Sequence, residues 1–274
     1  MAKLELGLIV GIGRDPNESL KEVAEIGVPT CQMAGTAEAM LAGKFPEPED
    51  IKKAANRARI RISSAFLLWE GQRFDNKDGP ETMGLVAPKF RKERVASGKK
   101  FSDWVTRLGC KSLTCHIGFI PDDEKDPIYK GFIEVMRELA LHVVKNEQIF
   151  CFETGQELAS TLKRTIRDVG TGNLYVNLDP ANLILYGKSN PLDAVEIFGE
   201  YVRGLHAKDG VWPNRDESLG LETPLGEGAV RFDLLIPRLK AKGFQGPLTI
   251  EREIHGPQQK IDIQKAIRIL EPML

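Results

Sequence analysis

The sequence predicts a single α/β domain, residues 1–274, folded as a (β/α)8 TIM barrel. Eight short segments rich in β-branched and aromatic residues alternate with longer segments of helical periodicity along the whole chain. Strict alternation of this kind is typical of parallel strands joined by helical crossovers. The length of 274 residues is close to the ~250 residues of a typical barrel. The last four strands also end in residues able to bind a metal, at the end of the barrel where active sites form.

The first four predicted strands are bounded by Gly, Pro or Asp, which commonly interrupt strands. They are LELGLIV from Leu4, VPTCQMA from Val28, RISSAFLL from Arg61 and KSLTCHIG from Lys111. The intervening segments NESLKEVAEIG and FRKERVASGKKFSDWVTRLG have helical periodicity. Gly27 and Gly109 end these two segments, so we predict that they terminate the helices.

The last four predicted strands follow the same pattern. They are QIFCFE from Gln148, LYVNLD from Leu174, VRGLHAK from Val202 and PLTIERE from Pro247. The segment FIEVMRELALHVVKN before the fifth strand is amphipathic, because its apolar residues recur at helical spacing. Gly170 and Gly243 are two further predicted helix ends.

A doubly wound parallel sheet shares this alternation, but it places a Gly-rich phosphate turn after its first strand. Gly11 and Gly13 do follow the first strand, yet Pro16 stands where the third glycine of the dinucleotide fingerprint is expected. This match is too weak to indicate a dinucleotide site. The closed barrel is therefore the predicted architecture.

Composition excludes several classes of protein. Hydrophobic residues make up 42% of the chain and charged residues 28%, which is typical of a globular domain. The net charge of −1 gives no general attraction to nucleic acid or to a membrane surface, so we predict neither partner. No apolar run reaches the ~20 residues of a transmembrane helix, and no secretory leader is recognisable. Cys31, Cys110, Cys115 and Cys151 lack metal-type spacing, so we expect free thiols in a cytoplasmic protein.

The ends of the last four strands carry the candidate metal ligands. The fifth strand ends at Glu153, the sixth at Asp179, the seventh at His206 and the eighth at Glu251. Because alternate residues of a strand face the same side, all four side chains can point into the mouth of the barrel. Three carboxylates and one imidazole suit Mn²⁺, Mg²⁺, Co²⁺ or Zn²⁺. The absence of thiolate ligands argues against a structural zinc site.

Six short motifs surround these strand ends. They are HIGFIP at His116, FETGQE around Glu153, NLDPANL around Asp179, HAKDG around His206, PLGEG from Pro224 and TIERE around Glu251. Over most of the chain they resemble the xylose isomerase-like superfamily of barrels, and most closely its sugar phosphate isomerase/epimerase branch, which includes tagatose 3-epimerase-like enzymes. The resemblance implies one divalent metal ion, most often Mn²⁺, bound by Glu153, Asp179, His206 and Glu251. It also implies a homo-oligomer, either a dimer or a tetramer.

The same resemblance implies a metal-dependent isomerase or epimerase of a keto-sugar or sugar derivative, with Glu153 and Glu251 as its acid/base pair. The hypothesis is that the metal polarises the substrate carbonyl. One glutamate then removes the adjacent proton to give a cis-enediolate, and the other returns a proton. The alternative is a dehydratase or lyase that acts on a keto-inositol or 3-keto-glycoside at the same metal site.

Two more distant alternatives fit the sequence less well. Apurinic endonucleases share the barrel, but they use a multi-zinc cluster with many histidines, and this chain has four histidines and no basic balance. A sugar-binding regulator without activity would keep the barrel but has no need of all four ligands. Failure to bind any divalent ion would favour the regulator.

Three residues near the strand ends are predicted to contact the substrate. His116 ends the fourth strand beside Glu153 and is expected to donate or accept a hydrogen bond. Glu157 follows four residues after Glu153, where it either binds a substrate oxygen or favours the start of a helix. Asn182 stands three residues after Asp179, where the epimerases usually have a histidine, so a different group recognises the substrate hydroxyl there.

The segments after the third and seventh strands add further candidates. Lys208 and Asp209 directly follow His206; Lys208 is predicted to contact the substrate, and either residue could orient the histidine ring. Arg215 either binds a substrate carboxylate or phosphate or is simply solvated. Trp69 is expected to stack on a sugar or to pack in the core. No Gly-rich phosphate cradle is present, which favours a substrate without phosphate.

Overall fold

Residues 3–215 and 218–274 are described by the computed structural model, and they form one closed barrel of eight parallel strands. The barrel strands are β1 (Leu6–Gly11), β2 (Thr30–Thr36), β3 (Arg61–Leu68), β4 (Ser112–Cys115), β5 (Ile149–Glu153), β6 (Leu174–Leu178), β7 (Val202–Ala207) and β10 (Leu248–Ile250). Between β7 and β10 the chain forms a two-stranded antiparallel ribbon of β8 (Asp209–Val211) and β9 (Leu221–Thr223). Consecutive barrel strands pair in parallel, and β10 closes the barrel against β1. The predicted (β/α)8 TIM barrel is confirmed.

Helices connect the strands and cover the outside of the barrel. They are α1 (Pro16–Ile26), α2 (Ala37–Leu41), α3 (Pro48–Ala58), α4 (Gly79–Thr82), α5 (Arg91–Leu108), α6 (Pro127–Lys145), α7 (Ala159–Val169), α8 (Pro180–Leu185), α9 (Pro191–Phe198), α10 (Phe232–Ala241) and α11 (Pro257–Leu270). Short 3-10 turns lie at Pro88–Phe90, Gly199–Tyr201 and Glu271–Met273. None of the helices in the described part of the chain is long and apolar enough to cross a membrane.

Local sequence explains where several helices begin and end. Asp126 caps α6 by accepting a hydrogen bond from the backbone N–H of Ile128 at 2.7 Å, and Pro127 supplies a helical φ in the first turn. The glycines predicted to end helices all have positive φ: Gly27 (95°), Gly109 (79°), Gly170 (68°) and Gly243 (88°). A residue without Cβ adopts this conformation without strain, which confirms the four predicted ends.

All eight predicted strands are present, but the fourth and the eighth are shorter than predicted; the fourth, predicted from Lys111 to Gly118, is Ser112–Cys115. The pattern PLTIERE predicted a strand as far as Glu253, whereas β10 ends at Ile250. Arg252 forms ion pairs with Glu222 at 2.9 Å and Asp262 at 2.7 Å. These contacts lie outside the sheet, so the backbone leaves the barrel immediately after its third strand residue.

The barrel interior contains a polar layer beneath its mouth. Gln32 of β2, Ser64 of β3 and Thr114 of β4 are all buried. The Ser64 and Thr114 hydroxyls lie 2.9 Å apart, and the Gln32 amide donates to Thr114 Oγ1 at 3.4 Å. Bulky branched residues usually fill this position in such barrels. The interior therefore contains hydrogen-bonding side chains where an apolar layer is usual.

Candidate active site

The structure brings the four predicted ligands together at the carboxyl end of the barrel. Glu153 is the last residue of β5, His206 lies in β7, and Asp179 and Glu251 directly follow β6 and β10. One ligand atom from each residue lies within 4.8 Å of all the others. Glu153, Asp179 and His206 are at most 2% exposed. The parallel register of neighbouring strands accounts for this convergence, because it places their ends at one rim.

Each of these residues turns one buried atom towards the others, and none of the four atoms has a hydrogen-bond partner outside the cluster. The atoms are Glu153 Oε1, Asp179 Oδ2, His206 Nδ1 and Glu251 Oε2. Buried polar atoms without partners are rare in folded proteins, and four at one point require a common explanation. Three carboxylate oxygens and one imidazole nitrogen form a donor set that suits a divalent cation. The residues therefore fit the metal ion that the motifs imply.

A second hydrogen bond fixes the ring of His206 for this role. Its Nε2 lies 2.7 Å from Gln32 Oε1, while the Gln32 amide nitrogen points towards Thr114. Since the amide oxygen only accepts, Nε2 carries a proton and Nδ1 is the ring atom that faces the cluster; in the neutral ring Nδ1 has the lone pair that a metal ion would need. A histidine that ligates a metal almost always donates its other N–H in this way.

Hydrogen bonds also orient the carboxylates of Glu153 and Asp179. Asn177 donates to Glu153 Oε2, which leaves Glu153 Oε1 facing the cluster. Gly204 makes room for this amide, because a Cβ there would lie 2.1 Å from Asn177 Oδ1. Asp179 caps α8 by accepting from the backbone N–H of Asn182 at 2.8 Å through Oδ1, which leaves Oδ2 unpaired. Each carboxylate thus has one fixed oxygen and one open oxygen.

Electrostatics of the cluster reflect burial opposed by local cations. Burial raises the pKa of Glu153 and raises that of Asp179 well above its ordinary value. For Glu251, burial is outweighed by Lys208 and His206, so its pKa is lowered. For His206, burial is outweighed by Glu153 and Glu251, and its pKa is raised. Several buried carboxylates in one place favour bound positive charge, which a divalent ion would supply.

Lys208 lies beside the cluster with its side chain 2% exposed. Its Nζ is 3.7 Å from Asp179 Oδ2, 3.8 Å from Glu251 Oε1 and 3.0 Å from Glu253 Oε1. It also donates to Asn182 Oδ1 at 3.3 Å. Two residues predicted to bind substrate, Lys208 and Asn182, therefore contact each other next to the ligands.

Asp209 does not orient His206, contrary to one of the two interpretations of this segment. Its carboxylate accepts four backbone N–H groups: those of Gly210 at 2.8 Å, Gly226 at 2.9 Å, Gly228 at 3.1 Å and Val230 at 3.0 Å. Asp209 thereby fastens the PLGEG turn to the start of the β8–β9 ribbon. Its role in the structure is to shape the loop after β7.

A cavity of about 340 Å³ opens above the cluster. His116, Asn182, Glu251 and Glu253 form its polar lining. Burial lowers the pKa of His116 to about 3, so its ring is neutral at physiological pH, and its Nδ1 is buried without a partner. His116 and Asn182 are thus placed where the sequence predicted substrate contacts.

Other predicted contacts lie elsewhere. Glu157 is buried but does not line the cavity; burial raises its pKa to about 8, so it is protonated at neutral pH. Arg215 is exposed and outside the cavity lining. Trp69 is 3% exposed and donates to Ser97 Oγ at 3.0 Å, so it packs in the core rather than on a ligand.

Three site residues were missed by sequence analysis. Gln32 and Asn177 orient His206 and Glu153, and both amide atoms of Gln156 are buried without a partner. A polar residue at an inward position of an otherwise apolar strand was the available signal for Gln32 and Asn177. For Gln156 the signal was its place in the FETGQE motif.

Comparison with known proteins identifies the family of this barrel. The family model described as xylose isomerase-like TIM barrel matches residues 20–273. A xylose isomerase domain protein from Planctomyces limnophilus is similar at 33% identity, with a TM-score of 0.89 over 99% of this chain and 98% of that chain. No curated protein matches.

Two more distant structures share the fold. D-psicose 3-epimerase from Clostridium cellulolyticum H10, solved with D-tagatose, is 16% identical, with a TM-score of 0.74 over 99% of both chains. The 3-keto-D-glucoside 4-epimerase of E. coli is 13% identical, with a TM-score of 0.71 over 98% of this chain and 100% of that chain.

Proposed function

We propose that this chain, which belongs to the xylose isomerase-like TIM barrel family, is a divalent-metal-dependent isomerase or epimerase of a keto-sugar or sugar derivative. The observation that carries the proposal is the set of four unpaired, converging atoms at consecutive strand ends. The names of two structural neighbours, both epimerases of keto-sugars, support a reaction of this class.

Glu153 and Glu251 are the proposed acid/base pair. A bound divalent ion, Mn²⁺ as first choice with Mg²⁺, Co²⁺ or Zn²⁺ as alternatives, would polarise the substrate carbonyl. One glutamate removes the proton from the neighbouring carbon to leave a cis-enediolate, and the other returns a proton. Return to the opposite face gives an epimer, and return to the adjacent carbon gives an isomer. The open oxygens of both glutamates lie 2.7 Å from His206 Nδ1, so both carboxylates face the same point.

His116, Asn182 and Lys208 are the proposed substrate contacts. The neutral His116 ring offers the unpaired Nδ1 to a substrate hydroxyl. Lys208 and Asn182 already share a hydrogen bond, so they are held ready for a substrate oxygen. Glu157, Gln156 and Arg215 would take part only through contacts made when substrate is bound.

Hydrogen exchange at carbon tests this function. Mn²⁺-loaded protein is incubated in D₂O with a panel of ketoses and keto-sugar derivatives, and NMR detects deuterium beside the carbonyl. We expect exchange in the wild type and its loss in Glu153→Gln. Glu227→Gln is the matched control, since Glu227 also lies near the rim but pairs with Lys265.

Each outcome of this experiment is decisive for one assignment. Full exchange by Glu153→Gln would refute the acid/base role. Exchange accompanied by loss of water or of an aglycone would assign the dehydratase or lyase activity instead. A cytoplasmic location and a dimer or tetramer remain predictions, and light scattering of the purified protein tests the latter.

A further inference from the structure

The cavity above the metal cluster has an apolar side that the proposed chemistry does not use. The ends of β1–β3, which continue around the barrel from β10, contribute Ile9, Ala34, Phe66 and Leu68. Phe74 and Leu219 extend this apolar wall to the mouth. Asn76 donates to the carbonyl of Ser218 at 3.5 Å, which joins the two loops that carry these residues. Metal ligation and proton transfer need none of these side chains.

Aromatic rings connect this wall to the candidate metal centre. Phe66 is stacked against His206, with ring centroids 5.9 Å apart and planes at 23°. His116 makes edge contacts with Phe66 at 5.6 Å and with Phe74 at 5.4 Å. Phe74 is nevertheless 43% exposed. The wall thus runs from the reacting centre to an uncovered aromatic ring at the rim, where a ligand would cover it.

A free ketohexose is a poor match for this wall. Such a sugar carries an oxygen on every carbon, most of them as hydroxyl groups, and the hydroxyls that face the wall would lose water without gaining a partner. An apolar group on the sugar loses nothing there and gains burial. The volume of about 340 Å³ lies near the lower end of small-molecule sites, ~300–1,000 Å³, which leaves room for one sugar ring and one small apolar group.

Charge in the cavity disfavours an anionic substrate. The three cluster carboxylates and Glu253 carry four negative charges, whereas the Lys208 ammonium and one divalent ion carry three positive charges. Within the described residues, the cavity wall includes neither lysine nor arginine. Arg252, the nearest guanidinium in sequence, is paired with Glu222 and Asp262. The one cation beside the cavity in the described residues, Lys208, already pairs with Glu253 at 3.0 Å, so a phosphate or carboxylate would have to compete for it.

We infer that the substrate is an uncharged keto-sugar that carries an apolar, ring-sized substituent, as in a keto-glycoside with an aromatic aglycone. This inference rests on the proposed function, because it assumes that the reacting carbonyl lies at the metal centre. The sugar contacts the polar side, and the substituent lies against the wall between Phe66 and Phe74.

Matched ligands test the inference by calorimetry on the Mn²⁺-loaded protein. The probes are phenyl and methyl 3-keto-β-D-glucopyranoside, together with D-fructose and D-fructose 6-phosphate. We expect the phenyl compound to bind about tenfold more tightly than the methyl compound, equivalent to about 1.4 kcal/mol. Phe74→Ala is expected to remove most of this difference. Trp212→Ala should preserve it, because Trp212 is equally exposed at 44% but does not line the cavity.

Equal affinities for the phenyl and methyl compounds would overturn the inference, as would tighter binding of the phosphorylated sugar than of D-fructose. A preference that survives in Phe74→Ala would also overturn it. Deuterium exchange on the same compounds separates this test from that of the proposed function. A phenyl preference without exchange would support the substrate class and refute enolisation, whereas exchange without a preference would refute only the substrate class.

Discussion

The hydrogen bond between Gln32 and His206 makes a quantitative prediction about metal affinity. Gln32→Leu removes the acceptor for the imidazole N–H, which lies 2.7 Å away in a site where both residues are at most 1% exposed. The ring is then free to place its proton on Nδ1, the atom that should ligate the metal. Loss of such a supporting partner lowers metal affinity by ~10–100-fold, or about 1.4–2.7 kcal/mol. We expect an effect within this range, because both partners of the bond are buried.

Competition with a chromogenic chelator measures the dissociation constant for Mn²⁺ in each variant. Gln148→Leu is the matched control, since Gln148 is 2% exposed and precedes β5 at the opposite end of the barrel, where it bonds to Ser102. It should destabilise the protein without changing the dissociation constant. Gln32→Glu should restore binding, because a carboxylate also accepts from the ring. If folded Gln32→Leu binds Mn²⁺ within twofold of the wild type, the geometric reasoning fails.

Two further predictions concern stability. Asp209→Ala should lower the free energy of unfolding by ~3–5 kcal/mol, because it leaves the N–H groups of the buried Gly210 and Val230 without acceptors. Urea denaturation measures this loss, and a loss below ~1 kcal/mol would contradict the anchoring role of Asp209. Glu157, with its pKa raised by burial to about 8, takes up a proton on folding between its unfolded value of 4.5 and pH 8. Stability should therefore fall as pH rises through this window. Glu157→Gln should flatten that fall, and an unchanged pH dependence would argue against a protonated Glu157.

Sequence patterns predicted the barrel and the position of the metal cluster because both depend on local information. A strand end fixes which rim a residue occupies, and the alternation of faces fixes whether it points inward. Glu153, Asp179, His206 and Glu251 could therefore be placed together without any knowledge of packing. Their role as ligands remains a proposal, since geometry brings them together but does not identify an ion.

Features that depend on distant pairs were beyond sequence reasoning. Gln32 and His206 are 174 residues apart, and no periodicity relates them. The β8–β9 ribbon has strands of three residues each, too short for a pattern, and is held by the Asp209 carboxylate instead. Trp69 follows a strand end just as the ligands do, yet its ring packs in the core, where it donates a hydrogen bond to Ser97 of α5. In each case a single tertiary contact decides the outcome.

The buried amides inside the barrel help to decide whether the four-residue cluster still binds a metal ion or is an evolutionary remnant. A chain that keeps the barrel only as a scaffold gains nothing from burying Gln32 and Asn177, since apolar residues of similar size would pack as well and need no partners. Here the two amides form hydrogen bonds that turn Nδ1 of His206 and Oε1 of Glu153 towards the cluster. Without a bound cation such preorganisation lowers the stability of the fold, because it holds several buried acceptors close together. The fold therefore retains a buried arrangement that a bound divalent ion would stabilise, which favours a working metal centre over a vestigial one.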